Sequence, residues 1–380
     1  MGRVKVNPKM LKWAREDAGY NYNNLPKSLR DNFLKWESGE VLPTWNQLNE
    51  LSEKYKRPSA FFFRKTPPKS DKIDFLEFRS KNKNIENSPE LNLAIRDVLN
   101  KRNIFLELIE DMNYPKVLFS KNIFCSNSVK KFSLYIRNLL NVSLDDQKDR
   151  IYSLNNCKDY NHYNFINKWK EDFYNLGILV FEVPRIKLDE MRALCLYFDE
   201  YPIILLNGSD SVNGRIFSLF HELTHLLKRE TAICDFTVNN TMETFCNNVA
   251  FEFLVPSYDL LSESIVKFHK DDFWDDAILS KLSHMYGVSR EMILLKLLDL
   301  NKTSDKFYMD KKEWIKFKGS NNSKGGGDVV LDSIKYNGKL YSKVLLNAYK
   351  NNVLSPIDFS EAIGLKLGHV ELLEYYLEDF

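Results

Sequence analysis

The chain has 380 residues, of which 44% are hydrophobic and 28% are charged, a composition typical of globular proteins and not of disordered or fibrous ones. Its formal net charge is +2, which argues against a strongly basic nucleic-acid coat protein and against an acidic tail. The length is that of about two or three domains, enough to bury a full core.

Short patterns exclude further classes of protein. No apolar run approaches the roughly 18 residues that a membrane span needs, and residues 1–9 lack the apolar region of a secretory signal. The five cysteines are odd in number and include no Cys-x-x-Cys pair. Disulfide frameworks and thiolate zinc sites are therefore not expected, and we predict a cytoplasmic protein that does not engage a membrane.

The first segment, residues 1–66, is predicted to form a small helical domain. Apolar spacing and glycine or proline stops predict helices over residues 10–18, 28–37 and 44–55. The segment contains 13 Lys and Arg against 7 Asp and Glu, a net charge of +6, which leaves −4 for the remaining residues. A small basic domain is expected for contacts with phosphates. Three tryptophans are predicted in its core: Trp13, Trp36 and Trp45.

The remaining chain divides into three predicted parts, which together make an α+β multi-domain protein. Residues 67–165 are mostly helical and are predicted to form a spacer or platform. Residues 166–300 are predicted to form a small zincin-like α+β domain, and residues 301–380 a helical extension after a Gly-rich linker. The predicted strands and helices of the α+β domain cover residues 177–183, 193–198, 202–206, 214–228 and 241–254.

The most informative pattern is an H-E-x-x-H motif at residues 221–225. Two histidines four residues apart lie on one helix face, about 5–6 Å apart, which suits chelation of one tetrahedral zinc ion. His221 and His225 are therefore predicted metal ligands, and Glu222 is a predicted general base that activates water. The alternative is a core helix with two hydrogen-bonded histidines, but burying these three polar side chains without a metal is costly.

A catalytic zinc site also needs a third protein ligand and an open position. Glu243 opens the next predicted helix, and Glu252 follows nine residues later. Nine residues correspond to two and a half helical turns, so the two carboxylates lie on opposite sides and cannot both reach the metal. We prefer Glu243, although spacing alone leaves open that it only interacts with the helix dipole.

Residues 215–225, 243–250 and 254–256 together resemble the ImmA/IrrE-type zinc metallopeptidases. In that family the second helix typically has the pattern E-x-x-A-N-x-F-A and ends in L-M-P, which implies zinc as the cofactor and Glu243 as the third ligand. Residues 282–297 and 325–373 resemble the family's following helix pair and the C-terminal extension of its longer members. Four positions depart from the pattern, none of them a ligand: Thr224 for glycine, Cys246 for alanine, Val249 for phenylalanine and Val255 for methionine.

The N-terminal segment resembles the Xre-type helix-turn-helix domain that is often fused to these peptidases. The resemblance rests on residues 34–39, 43–44, 47–48 and 55–58, and it makes DNA a candidate partner of residues 1–66. However, the stretch from Gly19 to Trp36 is short for two helices and a turn, so the recognition geometry can be lost while the scaffold is kept. DNA binding and a docking role, for a partner or for the peptidase domain, both stay open.

The resemblance also implies a narrow protein substrate. Such a substrate is an Xre-type repressor or an antitoxin-like regulator, whose cleavage derepresses a mobile-element, stress or defence operon. The alternative is a non-enzymatic DNA-binding regulator or antitoxin-like partner whose zincin domain is a sensor or scaffold, in which Glu222 would have no role. No oligomeric state is predicted.

Two further expectations concern the surroundings of the motif. Arg215 precedes His221 by six residues and could pair with a carboxylate near the site, but we expect it to be solvated. The predicted strand at residues 202–206 is expected to pair with an extended substrate, a common way for proteases to hold a peptide.

Overall fold

The fold is known from a computed structural model that describes residues 2–21, 23–25, 27–68, 88–156, 162–229, 239–318 and 328–378. The chain forms two compact units, Met1–Asn100 and Lys101–Phe380. The predicted Gly-rich linker at residues 319–327 lies outside the described residues. Within the described ranges, no helix combines the length and the apolar character that crossing a membrane requires.

The first unit is built from short helices. Their bounds are α1 Pro8–Asp17, α2 Lys27–Arg30, α3 Phe33–Glu37, α4 Trp45–Tyr55 and a 3-10 helix at Ser59–Phe63. The side chain of Asn7 caps α1 by accepting a hydrogen bond from the backbone of Lys9. Thr44 and Gln47 form a capping box at the start of α4, which fixes the predicted beginning of that helix.

An apolar core holds these helices together. Two predictions for this unit are wrong: the continuity of one helix and the burial of one tryptophan. Met10, Leu48 and Phe62 are fully buried in it. The helix predicted over residues 28–37 is not continuous, because a turn at residues 31–32 separates α2 from α3. The two residues of that turn are Asp and Asn, which favour turns because their side chains bond to nearby backbone. Trp45 is 50% exposed at the first position of α4, so its predicted place in the core is also wrong.

Among the described residues, four α-helices lie between the short helices of the first unit and the sheet, with a 3-10 helix at Phe119–Asn122 after the first of them. The four α-helices are α5 Pro89–Asp111, which begins in the first unit and ends in the second, α6 Val129–Leu140, α7 Leu144–Asn156 and α8 His162–Asn175. The predicted helical character of this part of the chain is therefore confirmed for the described residues.

A three-stranded sheet follows, and its strand order decides where a peptide can bind. The strands are β1 Leu179–Val183, β2 Ala193–Leu196 and β3 Ile203–Asn207, in the order β1-β3-β2. β3 is parallel to β1 and antiparallel to β2. The three predicted strands are confirmed, but pairing of a substrate with β3 is wrong, because both of its edges are already hydrogen-bonded to neighbours. β2 pairs with one strand and is the edge strand on that side.

After the sheet, the described part of the second unit is helical. The helices before the linker are α9 Val212–Leu227, α10 Asn239–Leu254, α11 Ser257–Ser262, α12 Ser264–Lys267, α13 Asp276–Tyr286, α14 Arg290–Asp299 and α15 Asp305–Lys318. Those after it are α16 Val329–Asn337, α17 Lys339–Lys350, α18 Pro356–Ile363, a 3-10 helix at Leu367–His369 and α19 Val370–Glu378. The main core lies around α9 and α10, where the rings of Phe220 and Phe253 stack with centroids 4.1 Å apart and are fully buried.

The helices after the linker pack directly on the sheet. Gly338, between α16 and α17, has φ +75°, and a Cβ atom there would lie 2.3 Å from the carbonyl oxygen of Val180 on β1. Only glycine permits this approach without strain. The next backbone N–H, that of Lys339, donates to the hydroxyl of Tyr174 on α8 at 3.0 Å.

Candidate metal centre

Helix α9 carries the H-E-x-x-H motif and leaves one stripe of side chains accessible. The helix begins at Ser211, whose side chain accepts from the backbone N–H of Gly214 at 3.0 Å. Past its first turn, every residue of α9 is buried except Phe217, His221 and His225. These three follow each other at four-residue steps, so they share one face of the helix.

Helix α10 presents a matching stripe. Glu243, Asn247 and Phe251 are again four residues apart, and each is partly exposed. Contacts join the two stripes in opposite chain directions. The carboxylate of Glu243 lies within 3.4 Å of the Nε2 atoms of both histidines, and the ring of Phe251 lies 4.9 Å from that of Phe217. We call these six residues the α9–α10 seam.

The predicted ligands come together at one end of the seam. The Nε2 atoms of His221 and His225 are 3.1 Å apart. Glu243 Oε2 lies 3.4 Å from His221 Nε2, and Glu243 Oε1 lies 3.3 Å from His225 Nε2. Among the described residues, this is the group of His, Cys, Asp and Glu side chains whose donor atoms converge closely enough to hold a metal ion.

The spacing of these atoms fits zinc. Metal–ligand bonds of 2.0–2.1 Å at tetrahedral angles place neighbouring ligand atoms about 3.3 Å apart. The three observed separations, 3.1, 3.4 and 3.3 Å, lie close to that value. Two imidazoles and one carboxylate are also the donor set of many catalytic zinc sites, which keep the fourth position for water or substrate.

The electrostatics of the group keep the carboxylate ionised. Hydrogen bonds from His221 and then from His225 hold the pKa of Glu243 far below its usual range, against the opposing effect of burial. For His221, burial lowers the pKa, but the hydrogen bond to Glu243 and the nearby carboxylate charges outweigh it and leave the pKa above its ordinary value. A metal that binds here would therefore have to displace a proton from the imidazole of His221 but not from the carboxylate of Glu243.

Glu222 lies beside the donor group, with two thiols near it. Its side chain is 8% exposed. The thiol of Cys195, on the edge strand β2, lies near the Glu222 carboxylate, whose negative charge adds to the effect of burial in raising the pKa of that thiol. Burial raises the pKa of Cys195 and that of Cys246 on α10, so both are neutral thiols. No motif marked Cys195 in the sequence, because strand and helix meet only in the folded chain.

The competing carboxylate, Glu252, has other partners. Its Oε2 atom accepts from Lys296 Nζ at 2.8 Å and from Ser257 Oγ at 2.6 Å. Glu252 is buried on the side of α10 away from the histidines, as the nine-residue spacing requires. It is not a member of the converging donor group.

Arg215 is not solvated, so that expectation is wrong. Its side chain is fully buried, and its Nη1 atom lies 2.5 Å from Glu182 Oε2 on β1. Lys170 Nζ, on α8, contacts the other oxygen of the same carboxylate. The alternative, that Arg215 pairs with a carboxylate, is the one observed, but its partner could not be named from sequence because the members of this cluster are far apart along the chain.

The end of α10 is held by residues from the helical part before the sheet, which sequence patterns did not mark. The buried Gln147, on α7, donates to the carbonyl oxygens of Leu254 at 3.0 Å and Tyr286 at 3.1 Å. Arg137, on α6, donates to the carbonyl oxygen of Phe253. These bonds satisfy carbonyls that a helix end leaves without partners inside the helix.

The short sheet packs on the helix that carries the H-E-x-x-H motif, and α10 supplies an acidic side chain. This arrangement is typical of metallopeptidase domains. Residues 175–298 match the family model of the IrrE N-terminal-like domain, Peptidase_M78. The match contains the whole sheet, α9 and α10, and it supports the ImmA/IrrE part of the resemblance. No curated protein and no solved structure matches the chain.

Proposed function

We propose that the protein is a zinc-dependent endopeptidase in which His221, His225 and Glu243 hold the metal. The observation that carries this proposal is the triangle of donor atoms with sides of 3.1–3.4 Å, which fits a tetrahedral zinc ion and lies on an accessible stripe of an otherwise buried helix. The peptidase-family match over residues 175–298 supports it independently.

When bound, zinc supplies Lewis acidity toward a carbonyl oxygen and toward water. The side chains perform the remaining steps. Glu222 follows the first histidine and takes the proton from the attacking water, then returns it to the leaving amine. The substrate lies extended along β2, the edge strand on this side of the sheet, and pairs with it through backbone hydrogen bonds.

Following the family resemblance, the proposed substrate is a regulatory protein of the cytoplasm, an Xre-type repressor or an antitoxin-like regulator. Its cleavage would derepress a mobile-element, stress or defence operon. An edge strand only four residues long offers few backbone pairings. Recognition of a particular protein therefore needs further contacts outside the strand, which accords with a narrow substrate range.

The test uses the general base. Glu222→Gln should retain zinc, because Glu222 is not a ligand, and should lose cleavage of a co-expressed repressor encoded next to this chain. Glu107→Gln, on the exposed face of α5, is the matched control and should keep both zinc and cleavage. Undiminished cleavage by Glu222→Gln would overturn the proposed mechanism. Loss of zinc in the same variant would overturn the assigned ligand set.

For the basic N-terminal segment we propose docking on a protein partner in preference to reading DNA bases. The helix that would enter a groove, α3, has five residues, and recognition helices present several side chains to base edges. Arginine side chains commonly read bases, but here three of them bind groups of the first unit itself. Arg15 pairs with Glu37, Arg57 with Asp17, and Arg30 donates to backbone carbonyls.

The alternative function, a non-enzymatic DNA-binding regulator, is supported by the net charge of +6 over residues 1–66. It is tested by mobility shift with promoter DNA at about 0.1 M salt, where exposed charges are screened beyond about 10 Å. A sequence-specific shift by a zinc-free protein would favour the regulator. Non-specific binding that disappears with added salt is what docking predicts, because the remaining lysines then contribute only phosphate contacts.

A further inference from the structure

At the end of the α9–α10 seam remote from the donor group, two phenylalanine rings are left partly exposed. Phe217 and Phe251 lie with ring centroids 4.9 Å apart, and the Phe217 ring lies 6.3 Å from the ring of His221. Both rings retain accessible surface. The other aromatic pair between the same helices, Phe220 with Phe253, is fully buried and serves the core.

We propose that Phe217 and Phe251 form a specificity-determining subsite that takes a large apolar side chain of the substrate. This inference rests on the proposed peptidase function. Aromatic rings that stay partly exposed beside a metal centre offer apolar surface that a ligand can cover, and covering it contributes binding free energy. No titratable residue belongs to this end of the seam, since its titratable members, His221, His225 and Glu243, lie at the donor end.

The distance to the metal ligands sets the position of that side chain. Phe217 precedes His221 by four residues, which corresponds to about 6 Å along the helix. An extended peptide advances about 3.3 Å per residue. The side chain bound by the two rings therefore belongs to a residue about two positions from the scissile bond. The structure assigns to this position a preference for aromatic or large aliphatic residues over charged ones.

The test uses three hydroxamates, which bind zinc through their own oxygens and differ in the attached group. They are acetohydroxamate, 3-phenylpropionohydroxamate and succinic monohydroxamate, titrated by calorimetry into the full-length, zinc-loaded protein. We expect the phenyl compound to bind the parent protein at least about tenfold more tightly than acetohydroxamate, because it adds a buried apolar group. In Phe217→Ala and Phe251→Ala the ratio should fall below about threefold, with the affinity for acetohydroxamate unchanged.

A charge substitution keeps the proposal testable if an alanine variant fails to fold. Phe251→Lys should reverse the preference and favour succinic monohydroxamate, whose carboxylate then meets a cation. Phe251→Leu is the matched control and should keep the phenyl preference, since it retains an apolar side chain. Circular dichroism and the zinc content of each variant establish that the fold and the metal site persist.

The outcomes separate this inference from the function on which it rests. If acetohydroxamate binds but the parent shows no phenyl preference, or if both alanine variants keep that preference, the subsite is refuted and the metal centre stands. If acetohydroxamate does not bind the zinc-loaded protein, the accessible metal site itself is refuted, and the subsite with it.

Discussion

Separate substitutions of Glu243 and Glu252, the two candidate carboxylates on α10, test which of them is the third metal ligand. Glu243→Gln keeps the size of the side chain but removes the charge from the donor triangle, in which its two oxygens face the two histidines at 3.4 and 3.3 Å. Loss of residues that only orient a ligand typically weakens metal binding by about 10–100-fold. Removing the ligand charge itself should therefore cost at least about 100-fold in zinc affinity, or about 2.7 kcal/mol.

Glu252→Gln is the matched control, with the opposite expectation. Its carboxylate pairs with the buried Lys296 at 2.8 Å and with Ser257, so the variant leaves this ammonium with only the exposed Asp299, 4.0 Å away, as a counter-charge. Breaking such a pair typically costs about 3–5 kcal/mol of folding free energy. We expect a large loss of stability in the zinc-free protein, and a zinc affinity of the folded protein close to that of the parent.

The assay is competition for zinc against a chromophoric chelator, combined with urea unfolding of the zinc-free variants. Affinity and stability are thereby measured separately for each substitution. The ligand assignment is refuted if Glu243→Gln binds zinc like the parent protein. It is also refuted if Glu252→Gln remains folded and loses zinc, because the ligand would then lie on the other side of α10.

Other substitutions test the interactions that position the site. Glu182→Gln should lower the free energy of unfolding by about 3–5 kcal/mol, because the buried Lys170 loses its carboxylate partner. Burial raises the pKa of Glu182, but the nearby cations lower it to a net value below the usual one. The stability difference between the parent and this variant should therefore be full above about pH 4.5 and shrink as the pH falls through the depressed pKa. Gln147→Leu should cost about 1–3 kcal/mol, because two buried carbonyls lose their donor. Gly338→Ala should cost more than about 1 kcal/mol, since a Cβ atom there meets the carbonyl oxygen of Val180 at 2.3 Å in a left-handed conformation.

Urea unfolding followed by circular dichroism measures these three effects, and the chain provides controls. Gly364 has φ +73° and ψ 26°, whereas Gly338 has φ +75° and ψ 146°. A Cβ atom at Gly364 meets nothing within 4 Å, so Gly364→Ala measures the cost of a positive φ without a clash. A cost at Gly338 no greater than that at Gly364 would contradict the close approach to β1. For Glu182, an undiminished stability difference at low pH would contradict the ionised pair.

The local elements of the fold could be predicted because their signals lie within a few residues. Thr44 and Gln47 mark the start of α4 by a pattern that a capping box explains, and the structure contains that box. The predictions that failed also depend on only a few residues each. Residues 31–32 interrupt a predicted helix because their side chains favour turns. Trp45 is 50% exposed at the first position of α4, although Leu48 and Leu51 of the same apolar stripe are buried.

In the candidate site, too, the features set by local spacing could be predicted, and those set by contacts between distant residues could not. The four-residue spacing of His221 and His225 requires a shared helix face, and the nine-residue spacing of Glu243 and Glu252 requires opposite faces; both follow from helix geometry alone. The proximity of Cys195 to Glu222 could not be predicted, because it depends on a strand and a helix that meet only on packing. The burial of Arg215 depends likewise on a partner from β1.

By itself, the sequence therefore determined a motif with the spacing of a zinc site and the helices that carry it, because helical periodicity relates residues that are close along the chain. Only the tertiary structure decided which strand lies at the sheet edge, which carboxylate faces the histidines, and which aromatic rings stay partly exposed beside them. Strand order, the antiparallel alignment of α9 with α10 and the burial of charges all arise from contacts between distant residues, and no local pattern encodes those contacts.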